Sequence, residues 1–88
     1  MKLTNSSEKK IYCDCCGYDT ISEHGEYEIC PICYWEDDKY QVENPDSNGG
    51  ANQVSLIEAR KNFAEFGAAE RKFVAEVRRP NETDKRMN

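Results

Sequence analysis

Along residues 55–67 (SLIEARKNFAEFG), apolar side chains return at helical spacing: Leu56, Ala59, Phe63 and Phe66 share one face, with charged residues around the rest. Ser55 with Glu58 three positions on makes a capping box, and Gly67 is a natural C-terminal cap. The pattern predicts a helix over 56–66, roughly 16 Å long. It continues more faintly over 68–79 (AAERKFVAEVRR), where Phe73, Val74 and Val77 gather on one side. Arg78 and Arg79 would suit the negative end of such a helix, and Pro80 would stop it. One or two C-terminal helices are therefore expected.

Upstream the period changes. Tyr18, Thr20 and Ile21 lead into Glu23-His24-Gly25-Glu26, and Tyr27 to Ile29 return. β-branched and aromatic residues on either side of a glycine-containing turn predict a β-hairpin. Residues 36–54 are acidic and carry Pro45, Gly49 and Gly50 without periodicity, so they read as an acidic loop. A structureless connector of that length is unusual in a small domain, and it either wraps the neighbouring lobe or serves a partner. Residues 1–10 are polar and read as a flexible N-terminus, and 80–88 as a disordered tail. One domain over 11–79 is expected.

Composition narrows how such a domain can hold together. At 88 residues, 38% hydrophobic and 33% charged, the apolar core must be thin. A staple is needed, and five cysteines offer one. The N-terminus (MKLTNSSEKK) has no apolar stretch, and no run is long enough to span a membrane. The expected compartment is the cytoplasm, where thiols stay reduced. An odd number of cysteines also fits a disulfide framework poorly, so metal is the better staple.

The spacing agrees. Cys13 and Cys16 form one C-x2-C pair, and Cys30 and Cys33 another. Two such knuckles facing each other supply four thiolates to a tetrahedral ion, at about 2.3 Å each. Gly17 eases the first turn and Pro31 presets the second. Residues 11–35 thus read as a zinc-ribbon-like lobe holding one structural Zn2+ on Cys13, Cys16, Cys30 and Cys33, although four thiolates also accept iron. Thioredoxin-type chemistry would need a low-pKa pair at a helix N-terminus in a βαβ setting, which neither pair has. Cys15 is left over, as a thiol near the site, as a ligand in place of Cys13 or Cys16, or as a redox sensor. His24, the single histidine, sits on the predicted turn far from both knuckles and reads as solvated.

Closed four-thiolate coordination leaves no position for substrate, and no Ser-His-Asp set or phosphate-cradling loop is offered. The expectation is a non-enzyme without a small-molecule substrate. Net charge is −5 and uneven: residues 1–54 hold 11 acidic against 4 basic side chains, residues 55–88 hold 6 against 8. The cysteine-bearing half is the acidic one, which disfavours nucleic acid and favours a basic protein partner. Tyr34, Trp35 and Tyr40, with Glu36, Asp37, Asp38, Glu43 and Asp46, are the candidate partner-binding residues, aromatic anchors with an acidic rim. Packing of Tyr34 or Trp35 against Phe63 and Phe66 is the other role open to them. The acids lack the alternating oxygen ligands of a calcium loop.

The stretches CDCCGY (13–18), GEYEICPICYWEDD (25–38), GGAN (49–52) and SLIEARKNFAEFGA (55–68) resemble the bacterial cysteine-rich CPCC family across about 12–79. Asp14 stands where that family has proline, which adds charge beside the ion and removes no ligand. The resemblance implies a zinc-ribbon-like, non-enzymatic domain, and by association with small acidic bacterial proteins a role in immunity against a basic toxin. The expected fold is therefore α+β: a zinc-ribbon-like β-hairpin lobe with one or two C-terminal helices. The expected function is a zinc-binding protein-interaction module, an immunity or antitoxin-type inhibitor. Two alternatives are a nucleic-acid-associated zinc ribbon using Arg60, Lys61, Arg71, Lys72, Arg78 and Arg79, and a redox-sensing thiol protein acting through Cys15.

Overall fold

The computed structural model describes residues 10–86. The expectations for residues 1–9 and for the last two residues of the tail lie outside them. Among the described residues there are two α-helices, α1 (Lys39–Glu43) and α2 (Leu56–Phe66), one 3-10 turn (Arg71–Phe73), and no β-sheet. No described helix is long and apolar enough to cross a membrane.

Helix α2 forms as its pattern predicts. The Ser55 hydroxyl accepts from the Glu58 backbone N–H, and the Gly67 N–H donates to the Phe63 carbonyl. Its Leu56 and Ala59 are buried in one cluster with Trp35, Ile21, Ile32, Ala69 and all five cysteines, while Phe63 and Val54 pack at the edge.

The predicted hairpin does not form. Ile21 pairs instead with Ile11, and Ile29 with Glu36, each an isolated antiparallel bridge. Each bridge closes around one C-x2-C turn, so backbone groups of Tyr18, Ile21, Tyr27 and Glu28 are spent on the flanks of their own knuckles, and the Asp19 N–H goes to Lys85. Little is left for them to pair with one another.

The second predicted helix shrinks to one 3-10 turn for a related reason. Ala68 and Ala69 are buried beyond the end of α2, and the Ala69 N–H donates to the Cys33 carbonyl at 2.7 Å. Further on, the Arg78 N–H donates to the Pro31 carbonyl. The Arg78 donor, which a helix over 68–79 would keep within itself, and the Ala69 donor at its start both serve the second knuckle.

The acidic loop contains α1 and a polar core of its own. Gln41 is fully buried, and its side-chain amide donates to the carbonyls of Ser47, Asn52 and Val54. Its Oε1 accepts from both the backbone and side-chain nitrogens of Asn52. The Asn52 side chain also exchanges two hydrogen bonds with the backbone of Glu36. Asp38 caps α1 through the Tyr40 N–H and accepts the Ala51 N–H with its other oxygen. Gly50 lies so close to this knot that a Cβ there would sit 2.6 Å from Asp38 Oδ2 and 2.8 Å from Gln41.

Residues 81–86, expected to belong to the tail, run back along the first knuckle. Asp19 and Lys85 exchange two hydrogen bonds at 2.9 Å, and Tyr18 bridges Arg86. Arg78 grips Asp84 with both guanidinium nitrogens, at 2.8 and 3.0 Å.

Candidate metal centre

The two knuckles have the same backbone plan. In the first, the Gly17 N–H donates to the Cys13 carbonyl and the Cys13 N–H to the Tyr18 carbonyl. In the second, Tyr34 donates to Cys30 and Cys30 to Trp35. The residue after each second cysteine has positive φ: Gly17 at 83° and Tyr34 at 71°. Glycine takes that conformation at no steric cost, whereas tyrosine is strained there. Tyr34 is held by its ring, which packs on Phe73 at 4.7 Å between centroids. The second knuckle also aims N–H groups at sulfur, Ile32 at Cys30 and Trp35 at Cys33, both 3.4 Å.

This plan brings Cys13, Cys16, Cys30 and Cys33 together, all buried and all as free thiols. The sulfurs of Cys13 and Cys33 are 3.6 Å apart, and those of Cys16 and Cys30 are 3.7 Å apart. Disulfide bonding needs about 2.05 Å. A tetrahedron with metal–sulfur bonds of about 2.3 Å has edges of about 3.75 Å. The donor set therefore fits one four-coordinate ion closely.

Hydrogen bonds with neighbouring sulfurs that hold the proton on the thiol, then burial, push the Cys13 and Cys33 thiols far up. Cys16 also rises: its hydrogen bond with Cys13 lowers it, but those with Cys30 and Cys33, together with burial, outweigh that. Cys30 is pushed down, because it accepts from Cys13, Cys16 and Cys33 and from the Thr20 hydroxyl 3.0 Å away. Four sulfurs this close and this deeply buried oppose one another's ionisation. A divalent cation would let all four ionise.

Distant parts of the chain brace the site. Arg60 on α2 donates to the Asp14 carbonyl at 2.8 Å, and Arg86 to the Cys16 carbonyl at 3.1 Å. Cys15 is buried in the core cluster beside the four sulfurs.

The predicted contact residues divide. Trp35 is fully buried, its indole N–H without an acceptor, and Asp37 and Asp38 are buried too. These three are interior residues, which removes them from any contact surface. Tyr34 and Glu36 are half-buried, while Tyr40, Glu43 and Asp46 are exposed. Several predicted basic residues have intramolecular partners: Arg60 as above, Arg71 over the Phe66 ring at 4.3 Å, Lys72 with Glu70 and Gln53, and Arg78 with Asp84.

Sequence reasoning missed one grouping. The His24 ring, half-exposed, lies between Asp14 of the first knuckle and Asp37. Burial pushes the Asp14 carboxyl up; His24 opposes that, Asp37 adds to it, and Arg60 opposes it. Nothing in the spacing of residues 14, 24 and 37 signals their convergence, because it depends on how the knuckles fold.

A family model described as Cysteine-rich CPCC matches residues 11–84. No curated protein matches the chain.

Proposed function

The chain belongs to the cysteine-rich CPCC family, and from that premise we propose a non-enzymatic module, stapled by one structural Zn2+, that binds a basic protein in the manner of an immunity protein neutralising a toxin. The observation that carries the zinc reading is the set of sulfur separations, 3.6 and 3.7 Å, which matches closed tetrahedral coordination. A closed shell leaves the ion structural.

The interaction reading rests on the surface around the knuckles. Tyr27 and Tyr40 are each 56% exposed and Ile29 is 48% exposed. Glu23, Glu26, Glu43 and Asp46 are exposed on the same two segments. Those segments are tied together: the Tyr27 N–H donates to the Asp37 carbonyl, and the Asp37 N–H to the Glu28 carbonyl. Exposed aromatics with an acidic rim suit a partner carrying a basic face.

The test is titration of the purified protein against a basic toxin encoded beside its gene, at low and at raised salt. Binding should weaken with salt. Tyr40→Ala combined with Glu43→Lys and Asp46→Lys should cost about tenfold or more in affinity. Salt-independent binding, or affinity unchanged in that triple variant, would remove this surface as the contact.

A further inference from the structure

Apart from the four cysteines, one more set of ligand-type side chains converges among the described residues. Asp14, His24 and Asp37 each place an oxygen or nitrogen within 4.8 Å of the other two. His24 Nδ1 lies 3.3 Å from Asp37 Oδ2 and 3.5 Å from Asp14 Oδ2.

Hydrogen bonding within the trio leaves a deficit. One imidazole nitrogen carries at most one hydrogen, so it cannot serve both carboxylates. Asp37 Oδ2 has a second donor, the Gly25 N–H at 2.9 Å. Asp14 Oδ2 is buried with no hydrogen-bond partner at all. A buried carboxylate oxygen without a donor is costly and calls for a counter-charge. The neighbouring cations are engaged elsewhere: Arg60 donates to the Asp14 backbone carbonyl at 2.8 Å, and Lys39 pairs along α1 with Glu43 at 3.9 Å.

The separations suit a metal. Nitrogen and oxygen ligands with bonds of about 2.1 Å stand about 3.4 Å apart around a tetrahedral ion and about 3.0 Å apart around an octahedral one. The two separations from His24 Nδ1, 3.3 and 3.5 Å, fall at the tetrahedral value, and the two carboxylate oxygens lie within 4.8 Å of each other. A cavity of about 270 Å³, lined by these three residues together with Gly25, Lys39, Val42 and Glu43, leaves room for a further ligand.

We propose that Asp14, His24 and Asp37 form a second divalent-cation site of the zinc type, with three protein ligands and a fourth position open to water on the cavity side. It is chemically distinct from the sulfur site, since its donors are one nitrogen and two oxygens. Its ion would tie the first knuckle, the turn between the knuckles and the segment leading into α1. The inference does not depend on what the four cysteines hold.

The test uses the full chain, purified with its tightly held metal and then titrated with Zn2+ at neutral pH. Binding is followed by calorimetry and by the nuclear magnetic resonance of the imidazole, which is unambiguous because the chain has one histidine. One further equivalent should bind and shift the His24 ring signals. His24→Ala and Asp14→Asn should each weaken that equivalent by more than the roughly 10–100-fold that loss of an outer hydrogen-bond partner costs. His24 sits on an exposed turn, so its variant should retain the first metal and the fold. Absence of a second equivalent would overturn the proposal. So would a second equivalent that leaves the ring signals unmoved or survives His24→Ala. Failure of the cysteines to hold zinc, with the ring shift intact, would refute the sulfur reading and leave this one standing.

Discussion

At the scale of single residues, the four cluster cysteines were legible because paired C-x2-C spacing has few other uses. Trp35, Asp37 and Asp38 were not. In an acidic stretch, an aspartate that accepts backbone N–H groups looks the same as one facing water. Asp38 takes the N–H groups of Tyr40 and Ala51, and Asp37 that of Gly25, so their charges are turned inward. Gly50 is explained only by what surrounds it. Gly50→Ala should destabilise the protein by about 1–3 kcal/mol, because its Cβ would meet Asp38 and Gln41 inside van der Waals contact. Gly49→Ala, whose Cβ would meet nothing nearer than 3.9 Å, should change stability by less than about 0.5 kcal/mol. Denaturant melts of the two variants, side by side, check the pair; equal losses would mean that the Asp38–Gln41 knot does not constrain residue 50. Gln41→Leu should cost about 1–3 kcal/mol, since it strands the polar groups that the buried amide now serves.

At the scale of elements, α2 was readable from local signals alone: an apolar face, a capping serine and a terminal glycine. The hairpin and the second helix were not, because their backbone hydrogen bonds are claimed by the knuckles. β-branched residues at 20–21 and 29 show a preference for extended backbone and cannot show which partner it meets. The same limit applies to 81–86, whose polar composition hides the Arg78–Asp84 clasp. Hydrogen bonds from Arg78, then from the Asn81 N–H, hold the Asp84 carboxyl down at about 2, against an ordinary value of 3.8. A depressed carboxyl contributes stability above its unfolded value and loses it only as pH falls through its folded value. The clasp should therefore be constant from about pH 5 to 8 and fade between about 4 and 2. Hydrogen exchange should show the Lys85 amide exchanging faster in Asp84→Asn than in the unaltered chain, by a ratio that stays level across the neutral range. An unchanged Lys85 rate would mean that the clasp does not order the segment.

At the scale of the whole molecule, one cluster organises the rest. Both arms of each knuckle, Ala69 beyond the end of α2, the segment at 78 and the returning chain at 85–86 all attach to backbone around the four sulfurs. Charge follows the same division. The half bearing the cysteines is acidic, while basic residues of the other half, Arg60 and Arg86, reach over to brace it. Composition made the need for a staple plain, but only the folded chain shows how much hangs on it. A structural zinc on four thiolates supplies roughly 10–16 kcal/mol of binding energy that is also folding energy. Chelation should accordingly abolish the folded circular dichroism signal of the lobe, and restored zinc should recover it.

The most direct test of the central claim is X-ray absorption at the zinc edge on the His24→Ala chain loaded with one equivalent, which keeps nitrogen and oxygen donors of the second site out of the signal. Four sulfur scatterers at about 2.3 Å are predicted. A shell containing nitrogen or oxygen, or fewer than four sulfurs, would contradict it.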